Sequence, residues 1–424
     1  MNYYLAVDIG ASSGRHILGW KEDGKILTRE LYRFPNGMKE LDGHLTWDIH
    51  ELFSHVQHGI DEAMKEYPDI KSLSIDTWGV DYVLMKGDKE LLPCYAYRDK
   101  RTDISIPEVH NLIPFEELYS RTGIQFQTFN TIYQLYADKL ANRLEAVTDF
   151  LMMPEYLLYK LCGVKSHEYT NATTTGMINA STGQYDMDTV RELNLPEHLF
   201  CPLSKPGRVI GTYKGIQCVL CATHDTASAV EGIPMEGREI YISSGTWSLL
   251  GVKIRNPITT LHSMASNYTN EGGVNYIRYL KNIMGMWLVN RLRDELCPGK
   301  DFAEIVSESE ASTFDYTIDT NDNVFLAPKS MTEAFNSQLK VKPEKPADYF
   351  RCAYRSLAKT YKDSVEDIER ITGKKYTSIY IVGGGAKNKF LNELTERATG
   401  KKVIAIPIEA TAMGNLKIQM EAVN

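Results

Sequence analysis

Two short stretches of this chain combine small hydroxyl residues with glycine where an apolar strand is expected to turn. They are YLAVDIGASSGRHIL at residues 4–18 and EIYISSGTWSLLGV at residues 239–252. A Ser-Ser-Gly turn lets backbone N–H groups and hydroxyls approach an anion closely, because none of its side chains is bulky. Two such turns, one at the head of each half of the chain, predict a pair of phosphate clamps for one nucleotide.

The first turn also offers candidate ligands for a metal and a phosphate. Asp8 ends the predicted strand just before the turn, where a carboxylate can hold Mg²⁺ directly or through water. Arg15 follows the turn and can meet phosphate oxygens. The alternatives are a turn-capping aspartate and a charge on the hairpin surface. The chain has no GxxxxGK[ST] segment, so a P-loop is excluded as the phosphate cradle.

Asp225 is the sharpest candidate for a general base. It follows the apolar segment QCVLCA, at 217–222, and precedes TASA, the expected first turn of a helix. Ligands gather at such sheet rims in α/β folds, and a carboxylate held there can take the proton of an attacking hydroxyl. Spacing alone supports equally that Asp225 caps the helix. His224, taken alone, is more typical of a hydrogen-bonded structural histidine.

The segment IDTWGVDYV, at 75–83, has the residue types of a sugar site. Trp78 offers a flat apolar face for the C–H side of a sugar, beside the accessible backbone of Gly79. Asp76 and Asp81 can accept hydrogen bonds from hydroxyls. The alternative is a strand with a glycine bulge and a core tryptophan.

A third glycine-rich turn, IVGGGAKN at 381–388, lies between a predicted strand and a predicted helix. It is not GxGxxG, and no acidic residue follows about twenty positions later as a ribose partner. Its glycines would let the backbone lie flat against an adenine ring. A tight strand-to-helix turn is the alternative.

Composition bounds the class of protein. The 424 residues exceed one ordinary core and predict two domains, and the net charge of −8 argues against a nucleic-acid surface. We find no run of roughly 18 apolar residues, so we expect no membrane span. The N-terminus opens on a strand without signal-peptide features, and the seven scattered cysteines suit reduced thiols, so we expect a cytoplasmic protein. The CxxC of Cys218 and Cys221 is interpreted as part of a buried strand.

The order of predicted elements indicates an α/β fold. Three antiparallel strands open the chain, and a helix begins near Asp48 with Glu51 as its capping-box partner. Further predictions are a polar loop at 166–176, a helix through 280–296, a helix at about 347–372, strands at 378–384 and 403–408, and helices at 388–400 and from 409.

Strand hairpins followed by helix–strand alternation occur twice. This pattern predicts two duplicated ribonuclease-H-like domains, of the actin/hexokinase-like type, around a central cleft. The repeat and the Gly-Pro punctuation place the boundary near 233–239. We therefore expect an N-terminal domain at 1–235, which contains the candidates for sugar binding and for the base, and a C-terminal domain at 236–424, which contains the candidate adenine contact; the family resemblance described next implies sugar binding for the first and ATP binding for the second.

The motifs together resemble the FGGY carbohydrate kinases over nearly the whole chain. YLAVDIGASSGR, IDTWGVDYVL, YRDKRTD, EYTNATTT, HDTASAV, YISSGTWSLLG, NEGG, LKNIMGMW, IVGGGAKN and EATAMGN occur in the order seen in that family. ASSGR, TNATTT, HDTAS, SSGTWSL and KNIMG are most similar to the branch that acts on L-rhamnulose. The resemblance implies ATP-dependent phosphorylation of L-rhamnulose at its 1-hydroxyl, with Mg²⁺ and Asp225 as general base.

The resemblance also implies binding roles. It assigns the ketose contacts to Gly79, His224, Thr226 and Asn282, beside the residue-based candidates Trp78 and Asp76. It assigns the ATP contacts to Ala11, Ser12, Ser13, Gly14, Arg15, Thr246, Asn290 and Gly384. Asn290 departs from the family pattern, which can carry Gln at this position.

Three alternatives remain open at this stage. The first is an FGGY kinase for another ketose, such as L-fuculose or xylulose. The second is an actin-like protein in which ATP gates a partner interaction, and the third is a catalytically silent sugar-binding regulator. We expect a ketose and ATP as partners, and neither nucleic acid nor membrane; monomer and homodimer are not distinguished.

Overall fold

The computed structural model describes residues 1–326, 328–406 and 409–423. The strands are β1 Tyr3–Ile9, β2 Ser13–Glu22, β3 Lys25–Pro35, β4 Lys39–Leu41, β5 His44–Trp47, β6 Ile70–Thr77, β7 Tyr82–Lys86, β8 Lys89–Glu90, β9 Cys94–Tyr95, β10 Asp149–Met152, β11 Arg208–Tyr213, β12 Ile216–Leu220, β13 Glu239–Ser244, β14 Trp247–Ile254, β15 Tyr268–Gly272, β16 Ile277–Met284, β17 Ser378–Val382 and β18 Lys402–Ala405. The helices are α1 Ile49–Glu66, α2 Thr102–Leu112, α3 Phe115–Thr122, α4 Thr131–Leu140, α5 Met153–Cys162, α6 Tyr169–Ala172, α7 Met187–Glu192, α8 Asp225–Glu231, α9 Leu261–Ala265, α10 Trp287–Leu296, α11 Phe302–Ala311, α12 Met331–Gln338, α13 Pro346–Thr372, α14 Lys389–Thr399 and α15 Ala410–Ala422.

The chain forms two compact units. Unit 1 comprises Met1–Ile233, Ile254–Tyr279 and the segment that begins at Glu409. Unit 2 comprises Pro234–Lys253 and the segment that begins at Leu280. The C-terminal helix α15 therefore belongs to the same unit as the N-terminus.

The main sheet of unit 1 has six strands in the order β11-β12-β6-β1-β2-β3. The first three strands of the chain are antiparallel neighbours, as predicted, and β6 and β12 join them in parallel. Helix α1 packs its apolar stripe against this sheet, and Val56 and Ile60 of that stripe are fully buried. The capping prediction for α1 is confirmed, because Asp48 accepts a hydrogen bond from the backbone N–H of Glu51 at 2.9 Å.

The sheet of unit 2 repeats this arrangement. Its strands β14, β13, β17 and β18 are neighbours in that order, with β13 and β14 antiparallel and β17 and β18 parallel to β13. In each unit an antiparallel hairpin is thus followed by parallel strands that return through helices. The repeated hairpin at 239–252 is confirmed, and so is the α/β class.

Helices α8 and α15 of unit 1 cross at very short range. A Cβ atom at Gly414 would lie 1.8 Å from the carbonyl oxygen of Ser228, and one at Gly232 would lie 2.3 Å from the carbonyl oxygen of Ala410. The contact therefore requires glycine on both helices, because any side chain there would collide with the backbone of the other helix. This crossing places α15 against the helix that begins at Asp225.

Several predicted elements differ from the structure. The segment 166–176 is not a polar loop: it forms α6 and a 3₁₀ turn at Thr173–Thr175, both largely buried. Residues 280–284, predicted as helix, complete β16, and α10 begins only at Trp287. The long helix is confirmed as α13. The strand predicted over 403–408 is observed as β18, and its residues 407 and 408 lie outside the described residues.

No helix in the described part of the chain is both long and apolar enough to cross a membrane.

Candidate active site

Strand register in unit 1 brings three charged side chains next to one another. Asp8 of β1 pairs with Arg15 across the β1–β2 hairpin and with Asp76 on the parallel strand β6. Arg15 Nη2 donates to Asp8 Oδ2 at 2.6 Å, and its Nη1 contacts the exposed Glu409. Asn415 of α15 donates to Asp76 Oδ2 at 2.5 Å. The sheet ends here in an acidic pair with one guanidinium beside it.

Burial makes these carboxyl groups unusually basic. Desolvation raises the pKa of Asp8, against the opposing pull of Arg15. Desolvation and then the charge of Asp8 raise the pKa of Asp76 well above its ordinary range. Asp76 is fully buried, and its Oδ1 has no hydrogen-bond partner in the described structure. The sheet end therefore carries acceptor oxygens that would be stabilised by an added cation.

Asp225 begins helix α8 beside this acidic pair. The backbone runs there next to β6, with a parallel bridge between Thr77 and His224 and a 2.9 Å bond from Thr77 N–H to the Thr223 carbonyl. Asp225 Oδ1 accepts from the backbone N–H of Thr226 at 2.5 Å and from its hydroxyl at 3.0 Å. Burial, followed by the charge of Asp8, raises the pKa of Asp225 to about 7. A carboxyl group with this pKa suits general-base work near neutral pH.

A fully buried carboxylate holds the segment before Asp225 in place. Glu168 accepts from the N–H and hydroxyl of Thr170 at 2.7 and 2.6 Å, and from the N–H of Asn171 at 3.1 Å. It also accepts from the N–H and hydroxyl of Thr223, at 3.1 and 2.7 Å. The threonine-rich segment 166–176 therefore contributes buried scaffolding, not the polar surface that its composition predicts.

His224 contacts two charged residues: Arg278, which sequence reasoning missed, and Glu271, which it named only within the NEGG motif. Arg278 of β16 lies with Nη2 3.0 Å from His224 Nδ1 and 3.0 Å from Glu271 Oε2, and its Nε donates to the Gly272 carbonyl at 2.8 Å. The Arg278 side chain is fully buried. No local motif announces this contact, because Glu271 and Arg278 lie about fifty residues from His224 in the chain.

The segment around Gly79 is closely packed. A Cβ atom at Gly79 would lie 2.8 Å from the Thr174 side chain, and the next residue, Val80, has a φ of 68°. Val80 is held by hydrogen bonds on both sides, from its N–H to Thr174 and to its carbonyl from Thr131. A β-branched residue in this conformation is strained, and such strain is typical of functional sites.

Trp78 lies in the core of unit 1. Its side chain is only 7% exposed, and its ring packs on Trp47 with centroids 4.3 Å apart. Asp81 accepts from the indole N–H groups of both, at 2.9 Å from Trp78 and 2.6 Å from Trp47, and burial raises the pKa of Asp81 to about 6. In this conformation Trp78 offers little face to a sugar, so its predicted stacking role requires a rearrangement.

The turn of the first hairpin is shaped by packing below it. A Cβ atom at Gly14 would lie 2.1 Å from the Phe34 ring, and Gly10 N–H donates to the Ser13 carbonyl at 2.9 Å. Ser12 is exposed at the turn, while Ala11 packs partly against the core. Only glycine at position 14 allows the hairpin to lie so close to Phe34.

The second hairpin presents a neutral turn. Thr246 is exposed, and its carbonyl accepts from the N–H groups of Gly285 at 3.2 Å and Trp287 at 3.1 Å. The turn thereby joins the start of α10. A Cβ atom at Gly385 would lie 2.0 Å from Ser244 Oγ, whereas one at Gly384 would meet no atom within 4 Å. Gly384 thus offers exposed backbone beside the turn.

The two predicted asparagine sites also lie in unit 2. Asn282 is half-buried on β16, and its Oδ1 is buried without a hydrogen-bond partner in the described structure. Asn290 is half-buried on α10. The structure therefore brings Asp8, Arg15, Asp76, His224 and Asp225 together in unit 1, and it carries Thr246, Asn282, Asn290 and Gly384 in unit 2.

The described residues contain no group of three or more histidine, cysteine, aspartate or glutamate side chains arranged to hold a metal. The acidic pair of Asp8 and Asp76 nevertheless fits a hard divalent cation in its donor chemistry, since such ions take carboxylate oxygens and water. The unpartnered Asp76 Oδ1 supports this fit.

The fold has two sheets that each begin with a hairpin. Asp225, whose pKa is raised, begins a helix in one unit, and Gly384 exposes its backbone in the other. These features fit a phosphotransferase of the actin/hexokinase-like fold. The comparisons agree with this class. Residues 3–226 match the N-terminal domain of the FGGY family of carbohydrate kinases, and residues 240–423 match its C-terminal domain. The chain belongs to the FGGY family of carbohydrate kinases.

Relatives support the same placement, and solved structures share the fold. A rhamnulokinase of Oceanobacillus iheyensis is 42% identical to this chain, over 99% of this chain and 93% of its own length. A rhamnulokinase of Halalkalibacterium halodurans is also 42% identical, over 100% of this chain and 94% of its own length. A gluconate kinase structure from Lactobacillus acidophilus has a TM-score of 0.85 at 15% identity, over 99% of this chain and 89% of its own. A Plasmodium falciparum glycerol kinase structure with ADP has a TM-score of 0.78 at 14% identity, over 100% and 90%.

Proposed function

We propose that this protein phosphorylates L-rhamnulose at its 1-hydroxyl, with ATP as donor, to give L-rhamnulose 1-phosphate and ADP. The substrate follows from the curated rhamnulokinases that are 40–42% identical over nearly the whole chain. The observation that carries the chemistry is Asp225, a carboxyl at the start of α8 whose pKa burial raises to about 7.

In this mechanism Asp225 takes the proton of the 1-hydroxyl as that oxygen attacks the γ-phosphorus of ATP. The two hydrogen bonds from Thr226 orient the carboxylate through Oδ1. Gly79, His224, Thr226 and Asn282 are the proposed sugar contacts, with Asp76 and Trp78 beneath the site. Small changes in these positions would lower the rate strongly, because in-line attack depends on orientation.

We propose that the first turn and Arg15 bind the phosphates of ATP. Thr246 and Asn290 are further proposed contacts to ATP, and Gly384 is proposed to contact its adenosine. The first-turn contacts are Ala11, Ser12, Ser13 and Gly14. Asp8 is the proposed holder of Mg²⁺, with Asp76 beside it. Mg²⁺, when bound, supplies neutralisation of the charge that develops on the transferred phosphoryl group.

This proposal assigns sugar binding and catalysis to residues 1–235 and ATP binding to residues 236–424, although Ile254–Tyr279 and the segment that begins at Glu409 belong to unit 1. We also propose a cytoplasmic location. All seven cysteines are free thiols, as suits a reducing compartment.

The test is an ADP-release assay with Mg-ATP and a panel of L-rhamnulose, L-fuculose, L-xylulose, D-xylulose, glycerol and no sugar. We expect a strong preference for L-rhamnulose. Preference for another ketose would overturn the substrate, and equal ADP release without sugar would favour the ATP-gated alternative. Binding of sugar with no ADP release would instead identify a silent regulator.

A further inference from the structure

Arg278 and Glu271 form a buried ion pair behind His224. Both lie at one end of the β15–β16 hairpin, and Arg278 Nη2 reaches Glu271 Oε2 and His224 Nδ1 at 3.0 Å each. The Glu271 and His224 side chains are 13% and 11% exposed. The hairpin cannot shift easily, since a Cβ atom at Gly272 would lie 2.6 Å from the Tyr169 ring.

This contact decides which nitrogen of His224 carries the proton. A guanidinium is always charged and only donates hydrogen bonds, so His224 Nδ1 is the acceptor of the 3.0 Å contact. Glu271 Oε2 lies 3.6 Å from Nδ1, which is too far for Nδ1 to donate to it instead. A neutral imidazole with an accepting Nδ1 carries its proton on Nε2. That Nε2 lies 3.5 Å from Asp225 Oδ1, on the side of the proposed base.

The same contact keeps His224 uncharged. Burial and then the positive charge of Arg278 hold the pKa of His224 well below its usual range. An imidazolium here would pair with Asp225 and oppose its uptake of a proton. The groups that face the ring are Asp225 from α8, Glu271 from β15 and Arg278 from β16, with the neutral Thr170 hydroxyl from α6 at the backbone N–H.

We propose that Arg278 is a positioning residue that locks His224 in the neutral, Nε2-protonated form, so that the imidazole donates a hydrogen bond to a ketose oxygen beside Asp225. Glu271 balances the buried guanidinium. The ketose in this statement rests on the proposed function, whereas the tautomer of His224 does not. The lock would provide a permanent donor next to the base without adding a positive charge.

The first test is nitrogen NMR of the full-length protein labelled at histidine. Among the ten histidines, the His224 signal is identified by its loss in His224→Gln. We expect nitrogen shifts of an imidazole protonated only on Nε2, unchanged as the pH falls from 8 to 6. Signals of an Nδ1-protonated or titrating ring in the unmodified protein would overturn the proposal.

The second test removes the lock. Arg278→Met leaves Glu271 buried without its cation, and this single variant can fail to fold. The double variant Arg278→Met/Glu271→Leu is then used for the same measurement, because an apolar pair can replace an ion pair. We expect the His224 signal in the double variant to change to a tautomeric mixture. An unchanged Nε2-protonated signal would overturn the assignment to Arg278.

Kinetics provide the functional readout. We expect kcat/KM for the preferred ketose to fall about 10- to 100-fold in the double variant, the range for losing a positioned hydrogen bond. In Arg278→Met we also expect a new ionisation in the acid limb of the pH profile, because His224 can then take a proton next to Glu271.

Arg143→Gln is the matched control, because Arg143 is a part-buried guanidinium that forms an ion pair with Asp138 and donates hydrogen bonds to the carbonyls of Leu91 and Pro93. We expect it to lower stability while the His224 signal stays unchanged. If Arg143→Gln changes that signal equally, the positioning role is wrong. If no sugar is phosphorylated at all, the proposed function fails, but the NMR result still decides the tautomer.

Discussion

The two hairpin turns share one backbone plan and differ in their chemistry. In unit 1 the last residues of β1 and its parallel neighbour β6 place Asp8 beside Asp76. In unit 2 the equivalent register places Ser243 beside Val382, and Gly383 and Gly385 follow. The first turn is therefore acidic and can bind a cation or move a proton. The second turn is neutral and exposes backbone groups that a ligand can contact.

This difference shows how the two halves of a duplicated fold can take different roles in one reaction. The ends of parallel strands next to a hairpin are equivalent sites in both units, because β12-β6-β1-β2 and β18-β17-β13-β14 follow the same order. Substitutions at two or three strand ends change what each site can bind without changing the sheet. The following predictions test this division, from the largest expected effect to the smallest.

Asp225→Asn is expected to lower kcat by about 10²- to 10⁴-fold or more while ketose binding persists, because the amide cannot accept the hydroxyl proton. The measurement is ADP release together with calorimetric sugar binding. Asp48→Asn is the matched control, since Asp48 also bonds the first turn of a helix, and it should leave both turnover and stability nearly unchanged because Asn caps a helix about as well as Asp does. Near-normal turnover in Asp225→Asn would reduce Asp225 to a structural acidic residue in the first turn of α8.

Asp8→Ser gives the first turn the residue that the second turn carries at the matching position. We expect kcat to fall by about 10²-fold and the Mg²⁺ concentration for half-maximal rate to rise, because a cation ligand is lost. The measurement is ADP release over a Mg²⁺ titration. The control is Glu409→Gln, which removes the exposed partner of Arg15. If both variants respond alike to Mg²⁺, Asp8 is only the partner of Arg15.

Two adjacent glycines of unit 2 should separate binding from folding. At Gly384 a side chain meets open space, so Gly384→Leu should raise the KM for ATP about tenfold with little change in Tm, by blocking a binding surface. At Gly385 a Cβ atom collides with Ser244 Oγ, so Gly385→Ala should cost about 1–3 kcal/mol of stability. An unchanged KM for ATP in Gly384→Leu would contradict the adenosine assignment.

The smallest expected effect is the change in the free energy of unfolding with pH. The pKa of Asp225 is raised from 3.8 to about 7, so the folded protein holds this proton more tightly than the unfolded chain does. The ionised carboxylate therefore destabilises the fold increasingly as the pH rises from about 4 through 7. Asp225→Asn should be more stable than the unmodified protein at pH 8 and nearly equal to it at pH 4, measured by urea unfolding. An equal difference at both pH values would contradict the raised pKa.

Local patterns predicted much of the fold. The two hairpins, the capping pair of Asp48 and Glu51, and the apolar stripe of α13 depend on local patterns, and each is observed. The Ser-Ser-Gly residues themselves lie partly in strands, because Ser13 and Gly14 belong to β2 and Ser243 and Ser244 to β13. The predictions for 166–176 and 280–284 were wrong for one physical reason. Distant partners decide those segments: buried Glu168 ties α6 to Thr223, and the neighbouring strands extend β16.

The sequence by itself determined the family, the duplicated hairpins and the choice of Asp225, because these depend on motifs that are continuous in the chain. Only the tertiary structure decided how basic Asp225 is and which neighbours surround it. Burial and the charge of Asp8 raise its pKa, and Arg278 reaches His224 from about fifty residues away. Desolvation and long-range charge depend on what packs around a group, and no local pattern of residues records that packing.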